Sequence, residues 1–303
     1  MSILTVAQTA VSGTVTLQGI AYSFTASASG TAHGNQLPYA NKSATIASNT
    51  AAYSAARIAI DKILAKESAV LSELEITSLI SNNFTTTVKV YKHIALASIA
   101  TSKDGINYFI RKKTTLWHKQ CLIVPNGVNL TINAPFTNYG YVQLGRKGSS
   151  GTIVCTSNQP INNTGNWYNA SEVVYNLHSP WNNNVTTSQG VVTSTGKLTN
   201  YGIFVVRNAN NSGGQGYINN NGANTSVINN GTFTIETNDS INNNHETSYI
   251  LNAPGEDDPS LVGVFCNNGS MSCTPGGAIY NSGTWLGTGT CDCDGCPVST
   301  GTC

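Results

Sequence analysis

The chain has 303 residues and a net charge of +1, and only 10% of its residues are charged, against about 25% in an ordinary soluble domain. That excludes a charge-rich disordered chain and a long coiled coil. A mean hydropathy of −0.11, with no run near the ~18 apolar residues of a spanning helix, gives no membrane span. Charge is replaced by 37 Asn and 29 Gly, a composition suited to many short strands and turns and to an exposed structural or adhesive protein more than to a metabolic enzyme. The charge is unevenly placed. Residues 1–207 hold all 15 Lys and Arg and 6 of the 14 acids, leaving +9, while residues 208–303 hold 8 acids and no base, leaving −8. Such a split suits copies that meet through opposite ends.

In chain order, residues 1–48 are rich in Ala, Ser, Thr and Gly and read as an extended N-terminal arm. Val15 and Leu17, then Ile20, Tyr22 and Phe24, alternate as a strand does. The first residues, Met1-Ser2-Ile3-Leu4, lack the basic and apolar regions of a secretory signal, so none is expected. Residues 49–123 read as a capping or attachment module. A helix is expected over 50–81, with Ala52, Ala56, Ile60, Ile63, Leu64, Val70, Leu71 and Leu74 on one stripe and Asn49 or Thr50 as its cap. A β-hairpin is expected over 85–124, turning at Asp104-Gly105. Lys89, Lys92, Lys103, Arg111, Lys112, Lys113 and Lys119 cluster there with Tyr108, Phe109 and Trp117. The cluster matches no nucleic-acid motif, and no nucleic-acid partner is expected.

Residues 124–287 repeat an Asn-x-Gly signature at Asn138-Tyr139-Gly140, Asn163-Thr164-Gly165, Asn200-Tyr201-Gly202, Asn211-Ser212-Gly213, Asn220-Asn221-Gly222, Asn229-Asn230-Gly231, Asn267-Asn268-Gly269 and Asn281-Ser282-Gly283, several followed by a β run. The Gly is expected at positive φ. The Asn is expected to bond its own backbone two residues on or to stack under the Asn of the next coil. A short strand, a turn and a short strand, repeated, wind into a solenoid with a narrow apolar core. The runs Val128-Asn129-Leu130-Thr131-Ile132…Phe136-Thr137-Asn138-Tyr139-Gly140 and Val227-Ile228-Asn229-Asn230-Gly231-Thr232-Phe233 resemble the repeats of right-handed parallel β-helix proteins of bacterial surfaces, phage tailspikes and large DNA viruses, most of all the viral group. The resemblance implies a mainly β fold whose body is a right-handed parallel β-helix, preceded by a small α+β module. The irregular spacing also admits a jelly roll or β-sandwich.

Residues 288–303 form a Cys-rich tail. Cys266, Cys273, Cys291, Cys293, Cys296 and Cys303 are disulfide candidates, and so are Cys121 and Cys155 in strand-like contexts. The tail spacing is also compatible with a four-thiolate metal site. Trp167, Tyr168 and Trp181, beside Asn-rich runs, are candidates for stacking on a glycan. Glu236, Asp239 and Glu246 with His245 offer the carboxylates that a polysaccharide-cleaving site needs. Glu256-Asp257-Asp258-Pro259 lacks the alternating ligands of a calcium loop. Eleven Asn-x-Ser/Thr sequons occur, which would be modified only along a route to a glycosyltransferase. The resulting expectation is a non-catalytic structural subunit of a virion surface or extracellular filament, without cofactor or metal. Its partners would be copies of itself and neighbouring structural proteins, with a glycan-binding adhesin and a depolymerase as the other readings.

Overall fold

The computed structural model describes residues 3–17, 20–34, 84–146, 150–188, 191–207, 216–253, 263–293 and 295–303. They fall in two compact units, Met1–His93 and Ile94–Cys303. The helix expected over 50–81 and the acidic run 256–259 lie outside the described residues. In the first unit, Ile3–Leu17 pairs antiparallel with Ile20–Gly34 and, on its other edge, with Phe84–Ile94. The N-terminal arm thus supplies both strands of a long antiparallel ribbon, as its alternation suggests. No helix among the described residues is long and apolar enough to cross a membrane.

The second unit is a parallel β-solenoid with three faces, so the fold is mainly β and the sandwich alternative falls away. Each coil contributes one strand to each face in turn. Face 1 stacks Asn107–Ile110, Asn129–Ile132, Ile153–Ser157, Val173–Leu177, Ile203–Val206, Thr232–Ile235, Val264–Asn267 and Thr284–Leu286. Face 2 runs from Thr114–Leu116 through Phe136–Asn138, Ile161–Asn163, Pro180–Asn183, Tyr217–Asn220, Ser240–Asn243 and Ser270–Cys273 to Thr290–Asp292. Face 3 runs from Gln120–Val124 through Tyr141–Leu144, Asn166–Asn169, Lys197–Asn200, Ser226–Asn229 and Tyr249–Asn252 to Ala278–Asn281.

The coils therefore begin at Asn107, earlier than the change of texture at Val124. The hairpin expected over 85–124 contracts to Thr101–Ser102 paired with Asn107–Ile110. Its turn closes on Asp104, whose carboxylate accepts from the backbone N–H of Ile106 (2.9 Å) and Asn107 (2.7 Å) and from Asn107 Nδ2 (2.7 Å). Those bonds hold the Asp104 carboxyl well below the usual carboxylate range.

The strands alternate inward and outward, and the inward side chains fill the core. On face 1 the register places Tyr175, Phe204, Phe233, Phe265 and Trp285 above one another. Their rings stack nearly parallel at 4.7, 4.8, 5.0 and 4.5 Å, which is the spacing between neighbouring strands. Each such pair adds about 0.5–1.5 kcal/mol beyond the burial itself.

The corners explain the Asn-x-Gly repeat. At the face 2 to face 3 corner, Asn138, Asn163, Asn183, Asn220 and Asn243 are all fully buried. The Nδ2 of each of the first four donates to the Oδ1 of the Asn one coil on, at 2.8, 2.9, 2.9 and 2.6 Å. A second inner ladder at the face 3 to face 1 corner links Asn200, Asn229, Asn252 and Asn281 at 2.9, 2.8 and 2.7 Å. Both expected bonds of the Asn are made: Asn138 Oδ1 also accepts from Gly140 N–H (3.0 Å) and Asn229 Oδ1 from Gly231 N–H (3.2 Å).

The Gly has a different reason from the one expected. None of Gly140, Gly165, Gly202, Gly222, Gly231, Gly269 and Gly283 has a positive φ. A Cβ on Gly165 would instead run into the Gly140 carbonyl oxygen, and one on Gly231 into that of Gly202. At Gly140, Gly165, Gly202, Gly231, Gly269 and Gly283 the backbone of the coil beneath passes too close for any side chain, while at Gly222 the Val185 side chain fills the space.

Asn229 Nδ2 meets Gly231 O, Asn252 Oδ1 and Val264 O, and its Oδ1 accepts from Asn200 and Gly231. Asn229→Ala orphans these buried groups and should cost about 3 kcal/mol or more. Asn182→Ala, in a half-buried outer row, should cost about 1 kcal/mol or less. Denaturant melts of the two variants against the parent check this, the ladder variant shifting far more.

Candidate functional site

The aromatic residues proposed for a glycan divide between inside and outside. Trp167 and Trp181 are 1% and 0% exposed. Their rings meet edge to face at 4.9 Å, and each indole N–H donates to the Asn two residues on, Trp167 to Asn169 Oδ1 (3.1 Å) and Trp181 to Asn183 Oδ1 (2.8 Å). The Asn-rich flanks that suggested an exposed loop are the corner residues of the solenoid interior. These two indoles have no free face to offer a sugar, which corrects the expectation for them. Tyr168 points outward, half-buried, with its ring 5.2 Å from Tyr201 of the next coil.

One exposed aromatic platform does exist. Trp117 is 60% exposed and lies nearly parallel to Tyr139 of the next coil at 5.7 Å, with His118 at 5.4 Å from the same ring. Trp117 occupies the corner after Thr114–Leu116, and the sequence placed it only within a basic-aromatic cluster. Arg111, Lys112, Lys113 and Lys119 share that first coil, and the Arg111 guanidinium sits 4.9 Å over the Phe109 ring.

Glu236 and Asp239 share one turn, Asp239 N–H donating to Glu236 O (3.1 Å), but each carboxylate has its own partner. Glu236 pairs with Arg207 at 3.2 Å. Asp239 is fully buried and accepts from Gly216 N–H at 2.9 Å. His245 and Glu246 lie beyond the strand Ser240–Asn243, about 13 Å of extended chain from Asp239. That is more than the ~9.5 Å at which two carboxyls flank a glycosidic bond. His245 Nδ1 is occupied by the Thr247 backbone N–H at 3.2 Å.

The outer corner between faces 1 and 2 carries its own row. Asn158 Nδ2 donates to Asn133 Oδ1 (2.9 Å), and His178 Nδ1 faces Asn158 Oδ1 (3.2 Å). Burial pushes the His178 imidazole below its usual range, the Arg207 cation pushes in the same direction, and Glu236 opposes them.

The outer row of face 2 is uncharged along most of its length. Asn182 donates to Asn162 (3.4 Å), Asn219 to Asn182 (3.1 Å), Asn242 to Asn219 (2.9 Å), and Ser272 Oγ to Asn242 (2.8 Å). Asn244 and Asn221 continue alongside, donating to Asn221 and Asn184 at 2.8 and 3.1 Å.

Among the described residues, six of the eight candidate cysteines pair: Cys266–Cys303, Cys273–Cys293 and Cys291–Cys296. The tail they staple lies along the last strand of face 1. Thr300 N–H donates to Trp285 O (3.0 Å) and Gly287 N–H to Gly301 O (2.8 Å), so the final edge of that sheet is covered. Cys121 and Cys155 are buried free thiols, a correction to their place among the disulfide candidates. They sit in Gln120–Val124 and Ile153–Ser157, strands of two different sheets. Burial pushes the Cys121 thiol up to about 11 and Cys155 higher still.

Comparison with family models, with curated proteins and with solved structures found no match to this chain.

Two measurements follow from these environments. The oxidised chain should show no reactive thiol when folded and two after denaturation, by titration with a chromogenic disulfide. His178 has a folded-state pKa below the ordinary 6.5, so the unfolded chain takes up the proton more readily. Stability should be full above about pH 6.5 and fall as pH drops below it. Tm measured against pH should show that fall in the parent and a shallower one in His178→Asn, whose amide continues the Asn133–Asn158 row without titrating.

Proposed function

We propose that this chain is a non-catalytic structural subunit of a surface assembly, on a virion or an extracellular filament, that associates with copies of itself and with neighbouring structural proteins. The observation that carries this reading is axial charge. A solenoid stacks its coils in chain order, so the uneven distribution along the sequence becomes a separation along the body. Arg111, Lys112, Lys113, Lys119 and Arg146 lie in the first coils, and Glu236, Asp239, Glu246 and Asp292 in the last, where no Lys or Arg occurs.

Two copies lying side by side and antiparallel set each basic end against an acidic one, the self-complementary arrangement that a two-fold axis requires. Face 1 offers an uncharged row for such a contact. Val154 (40% exposed), Val174, Ile203 (43% exposed) and Val264 point outward on successive strands, interrupted by Thr232. Lateral contact also suits the covered C-terminal edge, where the stapled tail stands in the way of continuing the sheet into another copy.

The test is sedimentation of the full chain at about 0.01 M and about 1 M salt, between which the range of electrostatic interaction contracts roughly tenfold. Association at low salt, dissociation at high salt, and its loss in the Arg111→Glu, Lys112→Glu, Lys113→Glu triple variant are the expected outcomes. A monomer at low salt overturns the reading. Immunogold labelling of the native source material locates it: label on regular particles or filaments is expected, and label dispersed in soluble material is contrary.

A second reading rests on Trp117. An exposed indole backed by Tyr139 is the surface that stacks on the C–H face of a pyranose. A glycan array with the parent and Trp117→Ala separates an adhesin from a scaffold, since the variant should lose all binding without a change in Tm.

A further inference from the structure

The closed end of the solenoid gathers more sulfur than its staples require. The Sγ atoms of Cys291, Cys293 and Cys296 all lie within 4.8 Å of one another, and Cys293 is bonded to Cys273. Two disulfides are thus packed side by side as a cluster of four sulfurs, while Cys266–Cys303 forms the remaining staple. We propose that Cys273, Cys291, Cys293 and Cys296 make a site with two chemical states: two disulfides when oxidised, and a tetrahedral four-thiolate site for one thiophilic divalent cation, of which Zn2+ is the representative, when reduced.

Four observations carry this. A Zn–S bond of about 2.3 Å sets the sulfurs of a tetrahedral site about 3.8 Å apart. The paired cysteines have Cα–Cα separations of 4.8 and 6.0 Å, so the interconversion takes side-chain rotation with the backbone near its present place. Cys273 ends the strand Ser270–Cys273 and Cys291 lies in the neighbouring Thr290–Asp292, so two ligands are on rigid strands. The other two, Cys293 and Cys296, have the x2 spacing with which a short loop grips a metal.

Two N–H groups already aim at the sulfurs. Asn243 Nδ2 lies 3.5 Å from Cys273 Sγ, and Cys293 N–H donates to Cys296 Sγ at 3.3 Å. Such donors favour a thiolate and orient it as a ligand. Cys291, Cys293 and Cys296 also pack against the apolar core, which shelters a bound ion from water.

The chemistry balances. Each disulfide takes two electrons and two protons from a dithiol reductant, which becomes a disulfide itself. The four thiols then release four protons as the cation binds, and no further oxidant or reductant enters. The consequence is that the segment Cys291–Cys296 stays tied to the strand Ser270–Cys273 in both states and is released only when the chain is reduced and metal-free, while the last residues lose their Cys266–Cys303 staple on reduction. This inference does not depend on the assembly reading.

The test uses the full chain, reduced with a dithiol, freed of reductant under anaerobic conditions, and titrated with Zn2+ against a chromophoric chelator and with Co2+ followed by its thiolate charge-transfer absorption. The expected result is one ion per chain. Alkylation mapped by mass spectrometry should show Cys273, Cys291, Cys293 and Cys296 protected by the ion and the exposed Cys303 alkylated with or without it. Cys273→Ser should weaken binding by about tenfold or more, and Cys303→Ser should leave it unchanged. If reduction melts the strand signal in circular dichroism, Zn2+ should restore it. The proposal is overturned by a folded reduced chain that takes up no ion, by a melted one that Zn2+ does not restore, or by uptake insensitive to Cys273→Ser.

Discussion

Everything in the solenoid depends on how a buried corner satisfies its backbone. Three strands per coil force three turns, and at two of them the carbonyls that leave the sheet ladder point into a dry interior. An orphaned carbonyl there would cost a large part of what a coil contributes to stability. Asn is the side chain short enough to stay within the corner while carrying both a donor and an acceptor. Its Nδ2 reaches the carbonyl two residues on and the Oδ1 of the coil above, as Asn200 and Asn229 do, while the Oδ1 of Asn229 takes the amide from below. The bonds run head to tail in one direction, so each amide polarises the next. The aromatic column of face 1 supplies apolar contact, but the spacing at which its rings stack is the spacing that the backbone and these amides hold.

The outer rows repeat the arrangement in milder form. Asn162, Asn182, Asn219 and Asn242 bond along the axis in partial contact with water, where an unmade bond has a substitute. The residue type is the same inside and outside, and only the parity of its position in the strand differs. For this reason the composition announces the fold without saying which Asn holds it together.

Much of the architecture was readable from the Asn-x-Gly signature, the strand runs after it and the Cys-rich tail. The irregular intervals have a simple origin. The motif sits at more than one corner, so Asn220 and Asn229 are nine residues apart as successive corners of a single coil, whereas Asn138 and Asn163 are equivalent corners of adjacent coils. The Gly was legible as a requirement, yet its cause was not: close passage of the coil beneath is a fact about two segments, and one segment carries no sign of it. Trp167 and Trp181 were misread for a related reason. Polar neighbours usually mark an exposed aromatic, but in Asn166-Trp167-Tyr168-Asn169 the inward pair is Trp and Asn together. Trp117 was harder to single out, because the ring that backs it, Tyr139, lies one coil away. The separation of Glu236 and Asp239 from Glu246 required knowing that a whole strand runs between them.

The register also shows what a coil minimally needs. Ile153 pairs with Val173 and Ile161 with Trp181, twenty residues on, and longer coils keep the same strands and place the excess at corners, as the antiparallel pair Val185–Ser188 and Val191–Thr195 does before Lys197–Asn200. The body is therefore a ruler graduated in coils. Its eight-stranded second face spans about 34 Å at ~4.8 Å per step, and a corner insertion of any length leaves that span unchanged. Reach and decoration can consequently vary independently: duplicating or deleting a whole coil alters the first, and lengthening a corner alters only the second.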